Sequence, residues 1–405
     1  MRVLYHIDFI LYRVFGKIPN KIVMLPHSFL CVTCYFFQYM VLYAGIKKER
    51  CSKMLELINE TPLWGYLQKT EKPIVLYGMG DGADMIISIL EEKGITYSDI
   101  FASDEFVRGH FFHGKKVLKL SEVEEKYDDF IILMTFAVHD RPTLNKIKLM
   151  SEKYEFYSPC VSIIGREYFT EEFLKRHEDE FRKAYELMAD EKSKETFLDV
   201  LRYKLSGKVK YLYSCEYEKE RLYEDILYFK NDEVILDLGA YDGDTIREFL
   251  GVTNGEYKKI IAFEPDSKNF KKLMRKTENL TEIDRYNLGA WDKEETLYFQ
   301  KKAARGSKLE KDGIPVEFNS VDNIVADKVT FLKMDIEGAE LKALCGAEKT
   351  IRENLPKLYV CAYHRDEDMY TLPLKINELS PDYKIYYRHH PYVPAWESNF
   401  YAIIK

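Results

Sequence analysis

Cysteine, net positive charge and long uninterrupted apolar runs are all scarce in this chain, and each scarcity removes a class of protein. Seven cysteines, an odd number spread over 405 residues, do not make the disulfide framework of a small secreted domain and point to a reducing cytoplasm. Cys31 and Cys34 form a C-x-x-C, but they lie in apolar, aromatic text with no second ligand pair, so a zinc site is not expected. The 60 basic residues are outnumbered by 67 acidic ones, a net charge of -7, which leaves no basic footprint for nucleic acid. The apolar stretch 29–46 is interrupted by Gln38 and flanked by Lys21 and Lys47. It falls short of a membrane span and reads as a buried helix or an interfacial anchor, so the expected location is cytoplasmic with peripheral membrane contact left open. No small-residue cleavage site follows a short basic start, which argues against a secretory signal. Repeats and low-complexity linkers are absent from the text, so boundaries rest on changes of pattern.

What is present is enough apolar text, 46% of residues, for more than one core. Four segments follow: a helical, aromatic-rich stretch over 1–70, a Rossmann-like α/β domain over 71–165, a helical bridge over 166–229 and a larger α/β domain over 230–405. In the second segment Ile74 to Tyr77 reads as a strand, followed by Gly78-Met79-Gly80-Asp81-Gly82-Ala83, a G-x-G-x-x-A turn. Residues 86–90, 99–103 and 130–135 supply a helix and two further strands, and Asp104 stands where a ribose is often met. Alone such a turn is a weak signal, and a domain that presents substrate or mediates assembly is the favoured reading over a nucleotide or sugar-nucleotide site. In the bridge, Phe173, Phe181, Tyr185, Leu187 and Met188 recur on one helical face. Tyr211, Tyr213 and Tyr217 are candidates for an acceptor cleft, with core packing as the plainer use.

The last segment is more specific. Val234 to Leu238 is a strand that breaks at Gly239-Ala240-Tyr241-Asp242-Gly243 and opens a helix. Glycines there let backbone N–H groups approach a ligand at the carboxyl edge of a parallel sheet, while Asp237 and Asp242 repel a pyrophosphate and accept from an ammonium group, such as the methionine end of S-adenosylmethionine. The next strand ends in Glu264-Pro265-Asp266, roughly twenty-odd residues beyond the turn, the place from which a carboxylate takes both ribose hydroxyls. After a third strand, Ala290 and Trp291 suit an adenine slot, though Trp291 is equally well explained by packing. A fourth strand runs Phe331-Leu332-Lys333-Met334 into Asp335-Ile336-Glu337-Gly338-Ala339-Glu340.

This order of motifs resembles the FkbM family of S-adenosylmethionine-dependent methyltransferases, with its D-x-G-x-x-x-G turn and its K-x-D-x-E-G-x-E strand end. The likeness continues through residues 320–324, through Ala362-Tyr363-His364-Arg365-Asp366 and into the tail 383–402. It implies a class I methyltransferase sheet, S-adenosylmethionine as cofactor, and methyl transfer to a hydroxyl of a sugar, glycan or other small acceptor. From the residues, Asp335, Glu337 and His364 are the candidates for a catalytic base. Each has a bland use as well: orienting the cofactor, capping a helix, or satisfying a carbonyl. Asp335, Glu337 and Asp366 offer hard oxygen ligands, but their spacing is not that of a dedicated site, so no metal is expected. A non-catalytic protein that keeps the fold and binds a nucleotide at Gly78 is the alternative.

Overall fold

The computed structural model describes residues 53–161, 168–299 and 314–404. The stretch 29–46 and the Cys31–Cys34 pair, and with them the membrane contact left open above, lie outside the described residues. Among the described residues no helix is long and apolar enough to cross a membrane.

Short runs of branched apolar residues without alternation become strands buried on both faces. The first is β1 (Ile74–Tyr77), buried throughout. It turns at Gly78–Gly80 into α1 (Asp81–Glu92), which buries Ala83, Ile86, Ile87 and Leu90 at helical spacing. Then come β2 (Asp99–Phe101), β3 (Phe111–Phe112), β4 (Lys115–Leu118), β5 (Ile131–Met134), α2 (Arg141–Lys153) and β6 (Glu155–Tyr157). Asp140 caps α2 by accepting from the Thr143 N–H at 2.9 Å, and Pro142 sits in its first turn where no N–H is missed. The strands form one sheet in the order β3-β4-β2-β1-β5-β6, parallel except where β3 meets β4.

Residues 171–227 are helical in pieces, of which α3 (Glu178–Glu186) and α4 (Glu191–Ser206) are the longest. Their apolar faces are filled by rings: Phe181 meets Phe197 and Tyr370 edge-on. The three tyrosines considered for an acceptor cleft are engaged within this segment and its neighbours. Tyr211 donates to Glu60, Tyr213 to the Leu144 carbonyl and Tyr217 to Asp225. α4 also carries a buried ion pair, Lys204 Nζ to Asp366 Oδ1 at 2.8 Å.

The second large sheet begins with β7 (Val234–Leu238), then α5 (Asp244–Val252), β8 (Lys259–Phe263), α6 (Ser267–Lys276) and β9 (Ile283–Tyr286). Asp266 caps α6 through the Lys268 and Asn269 N–H groups, worth about 1 kcal/mol. A side sheet follows, with β12 (Ile314–Asn319) between β10 (Gly289–Ala290) and β11 (Glu295–Phe299). The chain returns through β13 (Phe331–Met334), α7 (Glu340–Gly346), β14 (Lys357–Cys361), α8 (Asp368–Leu379), β15 (Tyr383–His389) and β16 (Ser398–Ile404). The order is β15-β16-β14-β13-β7-β8-β9, and β16 runs antiparallel to both neighbours.

One row across this sheet is polar. Asp237, Lys333, Tyr359, Tyr401 and Tyr386 stand side by side by register, on a face otherwise packed with Leu222, Ile226, Ile235 and Phe249. Side chains alternate between faces along a strand, so Asp335 and Asn399 lie on the same face one step nearer the carboxyl edge. Charge buried in mid-sheet needs a reason, and that edge supplies it.

Candidate active site

β7 delivers Asp237 fully buried, and neither of its oxygens has a hydrogen-bond partner. Lys333 Nζ lies 3.5 Å from Asp237 Oδ1 and 3.8 Å from Asp335 Oδ2. At that range the ammonium acts on both carboxyls as a neighbouring charge, without an aligned bond. Burial pushes the Asp237 carboxyl up, with Lys333 opposing. Burial also works against charge on Lys333, but Asp237 and Asp335 overcome it and keep the ammonium protonated.

Gly239 sits at φ +85, and a Cβ there would lie 1.9 Å from the Asp335 carbonyl oxygen. Only glycine allows β7 and β13 to come so close. The sequence leads one to expect the N–H groups of this turn to face a ligand, yet the structure commits them elsewhere. Gly239 and Ala240 both donate to the Phe263 carbonyl, at 3.0 and 2.9 Å, and Tyr241, at φ +47, donates to Glu264 Oε2 at 2.8 Å. The turn therefore locks the tips of β7 and β8 together, and the N–H groups of Gly239, Ala240 and Tyr241 are not left for anything that binds.

Glu264 is buried at the end of β8, where it accepts from Tyr241 and from the Asp266 N–H at 2.9 Å. Burial outweighs those two bonds and raises its carboxyl to about 7. Asn287 steadies the tip by donating to the Glu264 carbonyl at 2.8 Å. Asp242 turns to Lys276 and to Arg247, which hold its carboxyl below the usual range. Gly243, at φ +85, starts α5. Ala290 is buried, and Trp291 packs edge-on against Phe318 at 5.5 Å with Lys342 over its ring.

The end of β13 and the end of β14 meet. His364 is buried, with Nδ1 3.0 Å from Glu340 Oε1 and Nε2 3.5 Å from Asp335 Oδ1 and 3.8 Å from Glu337 Oε2. The first contact lacks hydrogen-bond alignment and acts as a charge contact. Burial lowers the imidazole, but Glu340, Asp335 and Glu337 more than reverse this and raise it to about 9. Tyr363 donates to Asp335 Oδ1 at 3.1 Å. Asp335 is lowered overall: burial raises it, and Lys333 and His364 prevail. Glu337, at φ +53, is the exposed member.

Glu340 is fully buried at the start of α7 and reaches back to the Ile336 N–H at 2.9 Å. Sequence reasoning gave it no role, although its place in the D-x-E-G-x-E string was a signal. Lys333 and Glu397 were likewise unassigned. Asp366 belongs to the Lys204 pair instead of this edge. Among the described residues, ligand atoms of Asp335, Glu340 and His364 lie within 4.8 Å of one another. A metal takes one imidazole nitrogen, however, and here the two carboxylates face opposite nitrogens. That arrangement suits an imidazole oriented by one acid and shared with another.

The glycine turn of β1 is differently furnished. Gly78 and Gly80 have φ of +113 and +109, but the first turn of α1 carries Asp81 and Asp84. Asp104 begins a short 3-10 turn after β2 and is exposed.

Among curated proteins none matches the chain. A crystal structure of methyltransferase FkbM from Methylobacillus flagellatus KT is similar over 86% of this chain and 98% of its own, with 23% identity and a TM-score of 0.69. The fold it shares thus extends well beyond the second large sheet. Fibrillarin from Aeropyrum pernix, in complex with natively bound S-adenosyl-L-methionine, covers 44% of this chain and 69% of its own at 10% identity, with a TM-score of 0.30. An rRNA methylase from Streptococcus thermophilus covers 44% and 88% at 14% identity, also with a TM-score of 0.30. Neither of these two bears on the function of the chain. Residues 237–383, from Asp237 in β7 to Tyr383 at the start of β15, match the model of the methyltransferase FkbM domain.

Proposed function

We propose that the chain is an S-adenosylmethionine-dependent methyltransferase acting on a hydroxyl of a sugar, glycan or related small acceptor. One observation carries the reading: a fully buried, unpartnered Asp237 carboxyl behind a glycine turn whose first three N–H groups, those of Gly239, Ala240 and Tyr241, are already committed to β8 and its end. Such an edge fits a ligand that brings its own positive charge and donors, as the ammonium and sulfonium of this cofactor do, and it disfavours a pyrophosphate. Asp237 and Gly239 would hold the methionine end, Glu264 with Tyr241 the ribose, and Ala290 with Trp291 the adenine. Asp242 and Gly243 would shape the turn.

When bound, the cofactor supplies a methyl group already activated by a positive sulfur. The chain's own residues then have two tasks, holding the acceptor oxygen in place and removing its proton. His364 Nε2 and Asp335 Oδ1 take that proton between them, and Glu340 keeps the imidazole oriented from the Nδ1 side. Tyr363 fixes the other partner, Asp335. Because His364 stays protonated up to about 9, the free base becomes more abundant as the pH rises toward that value. The general base contributes on the order of 10²–10⁴ in rate.

Calorimetric titration of the whole chain with S-adenosylmethionine, S-adenosylhomocysteine and NAD tests the reading. Binding of both adenosyl ligands, weakened in Glu264→Ala and Asp237→Asn, is the expected result. A folded chain that binds neither overturns it, and binding of NAD alone transfers the site to the Gly78 turn.

A further inference from the structure

Between β15 and β16 the chain crosses the carboxyl edge of the seven-stranded sheet in residues 390–397, and the crossing is tied down on both sides. The His390 N–H donates to the Glu397 carbonyl at 3.0 Å, and its ring lies 2.7 Å from the Tyr217 carbonyl and 2.6 Å from the Tyr401 hydroxyl. In the middle, Val393 exchanges two backbone hydrogen bonds, of 2.7 and 2.9 Å, with Val138, which follows β5 of the other sheet. Rings run along it: His139 stacks on Tyr392 at 5.6 Å and 18°, and Tyr392 meets Trp396 at 5.9 Å and 43°. None of the three is buried.

Glu397, the next residue, is held at φ +71, a conformation that costs a side-chain-bearing residue about 1–2 kcal/mol. Asn59, Tyr228 and Leu355 also have positive φ, but there it closes the end of a helix. His113, in the turn from β3 to β4, and Glu282, just before β9, end no helix; nor do Tyr241, Glu337 and Glu397, which stand along one carboxyl edge. Strain kept in that position implies a use for the side chain it aims. The Glu397 carboxylate receives the Asn399 amide at 3.5 Å and feels the charges of Lys219, Asp335 and Lys333, the second of them a proposed proton acceptor.

We propose that residues 390–397, with His139, are the acceptor-binding strip of this edge, the rings of Tyr392 and Trp396 taking the C–H face of a pyranose and Glu397 accepting two of its hydroxyls. This rests on the methyltransferase reading. An aromatic face beside a carboxylate suits a ring that is apolar across its face and rich in donors at its rim, and it repels a phosphate. The first sheet then acts by holding the strip through Val138.

The test is saturation-transfer NMR on the full chain with methyl α-D-glucopyranoside, methyl α-D-mannopyranoside and methyl β-D-galactopyranoside, with S-adenosylhomocysteine present, in wild type, Trp396→Leu and Glu397→Gln. Transfer to at least one pyranoside is expected, weakened about ten-fold in either variant, the loss of one hydrogen bond to a charged group or a comparable contact. Affinity for S-adenosylhomocysteine should stay unchanged in both. Transfer to none of the three, or equal transfer in wild type and both variants, overturns the strip. Should Trp396→Leu fail to fold by its melting curve, Glu397→Gln decides alone. Variant-sensitive transfer in a chain that does not bind S-adenosylhomocysteine would leave the strip standing and remove the cofactor reading.

Discussion

Both sheets use the same local device, a buried strand that ends in a glycine turn and opens a helix, yet they furnish it oppositely. Beside β1 the polar groups are satisfied by one another. Thr135 donates to the Tyr77 carbonyl at 3.1 Å, the Tyr77 hydroxyl lies 2.8 Å from Ser103, Lys146 reaches Ser103 at 2.9 Å, and His113 reaches Asp84 at 2.6 Å. Beside β7 a carboxyl is buried without a bond, a lysine is shared at long range and an imidazole is wedged between acids. A glycine turn thus only clears the backbone. What the edge can do is set by the neighbouring strands that lean over it.

The largest difference should appear when the turns themselves are filled. In Gly239→Ala the new methyl would meet the Asp335 carbonyl at 1.9 Å, so β13 must move away, at a cost of about 4 kcal/mol. Gly80→Ala has the strained φ but nothing within 4 Å, and about 1–2 kcal/mol is expected. Chemical denaturation of the two variants compares them directly, and equal losses would mean that the β7 turn is no tighter than the β1 turn.

A smaller contrast concerns the two lysines. Lys333→Met leaves Asp237 buried with no cation and should destabilise by about 3 kcal/mol at neutral pH. The loss should shrink as the pH falls and the carboxyl takes up a proton. Lys146→Met removes an exposed partner of Ser103 and should stay below about 0.5 kcal/mol. Denaturation midpoints across pH read both.

His364 gives a third, pH-dependent difference. Its raised value of about 9 in the folded chain, against an ordinary 6.5, means that the folded state holds the proton more tightly. The stability this adds is complete below about pH 6.5 and is lost as the pH rises through about 9, in total on the order of 1–3 kcal/mol. In His364→Gln that stretch of the stability curve should flatten. A wild-type curve level between pH 6.5 and 9 would contradict the clamp between Glu340 and Asp335.

How much of this was legible before the fold was known follows from where each residue gets its position. Asp237, Gly239, Glu264 and Asp335 were readable because each sits within a residue or two of a strand end, and strand, turn and helix leave local signals. Glu340 is set by one turn of local chain and could have been read. Glu397 could not: it reaches the edge only because β16 runs antiparallel to β14 in a register that pairs Cys361 with Asn399. The commitment of the Gly239, Ala240 and Tyr241 N–H groups to β8 was hidden for the same reason, since hydrogen bonds between strands follow register and not local pattern. The pairing of Val138 with Val393 joins positions some 250 residues apart, beyond the reach of any periodicity.

The smallest effect expected is also the most specific to ligand binding. Glu264 is raised to about 7 by burial, from an ordinary 4.5, so the folded chain favours its protonated form and loses some stability as the pH rises from about 4.5 to 7. A ribose diol donates best to the ionised carboxylate. Affinity for S-adenosylhomocysteine should therefore climb with pH through 7, by about ten-fold between pH 6 and 8, and in Glu264→Gln it should be weaker and flat. Asp104 at the other edge is exposed, so Asp104→Asn should leave the whole profile in place. A wild-type profile without a step near 7 would take Glu264 away from the ribose, and a step abolished by Asp104→Asn would mean that the two edges had been assigned the wrong way round.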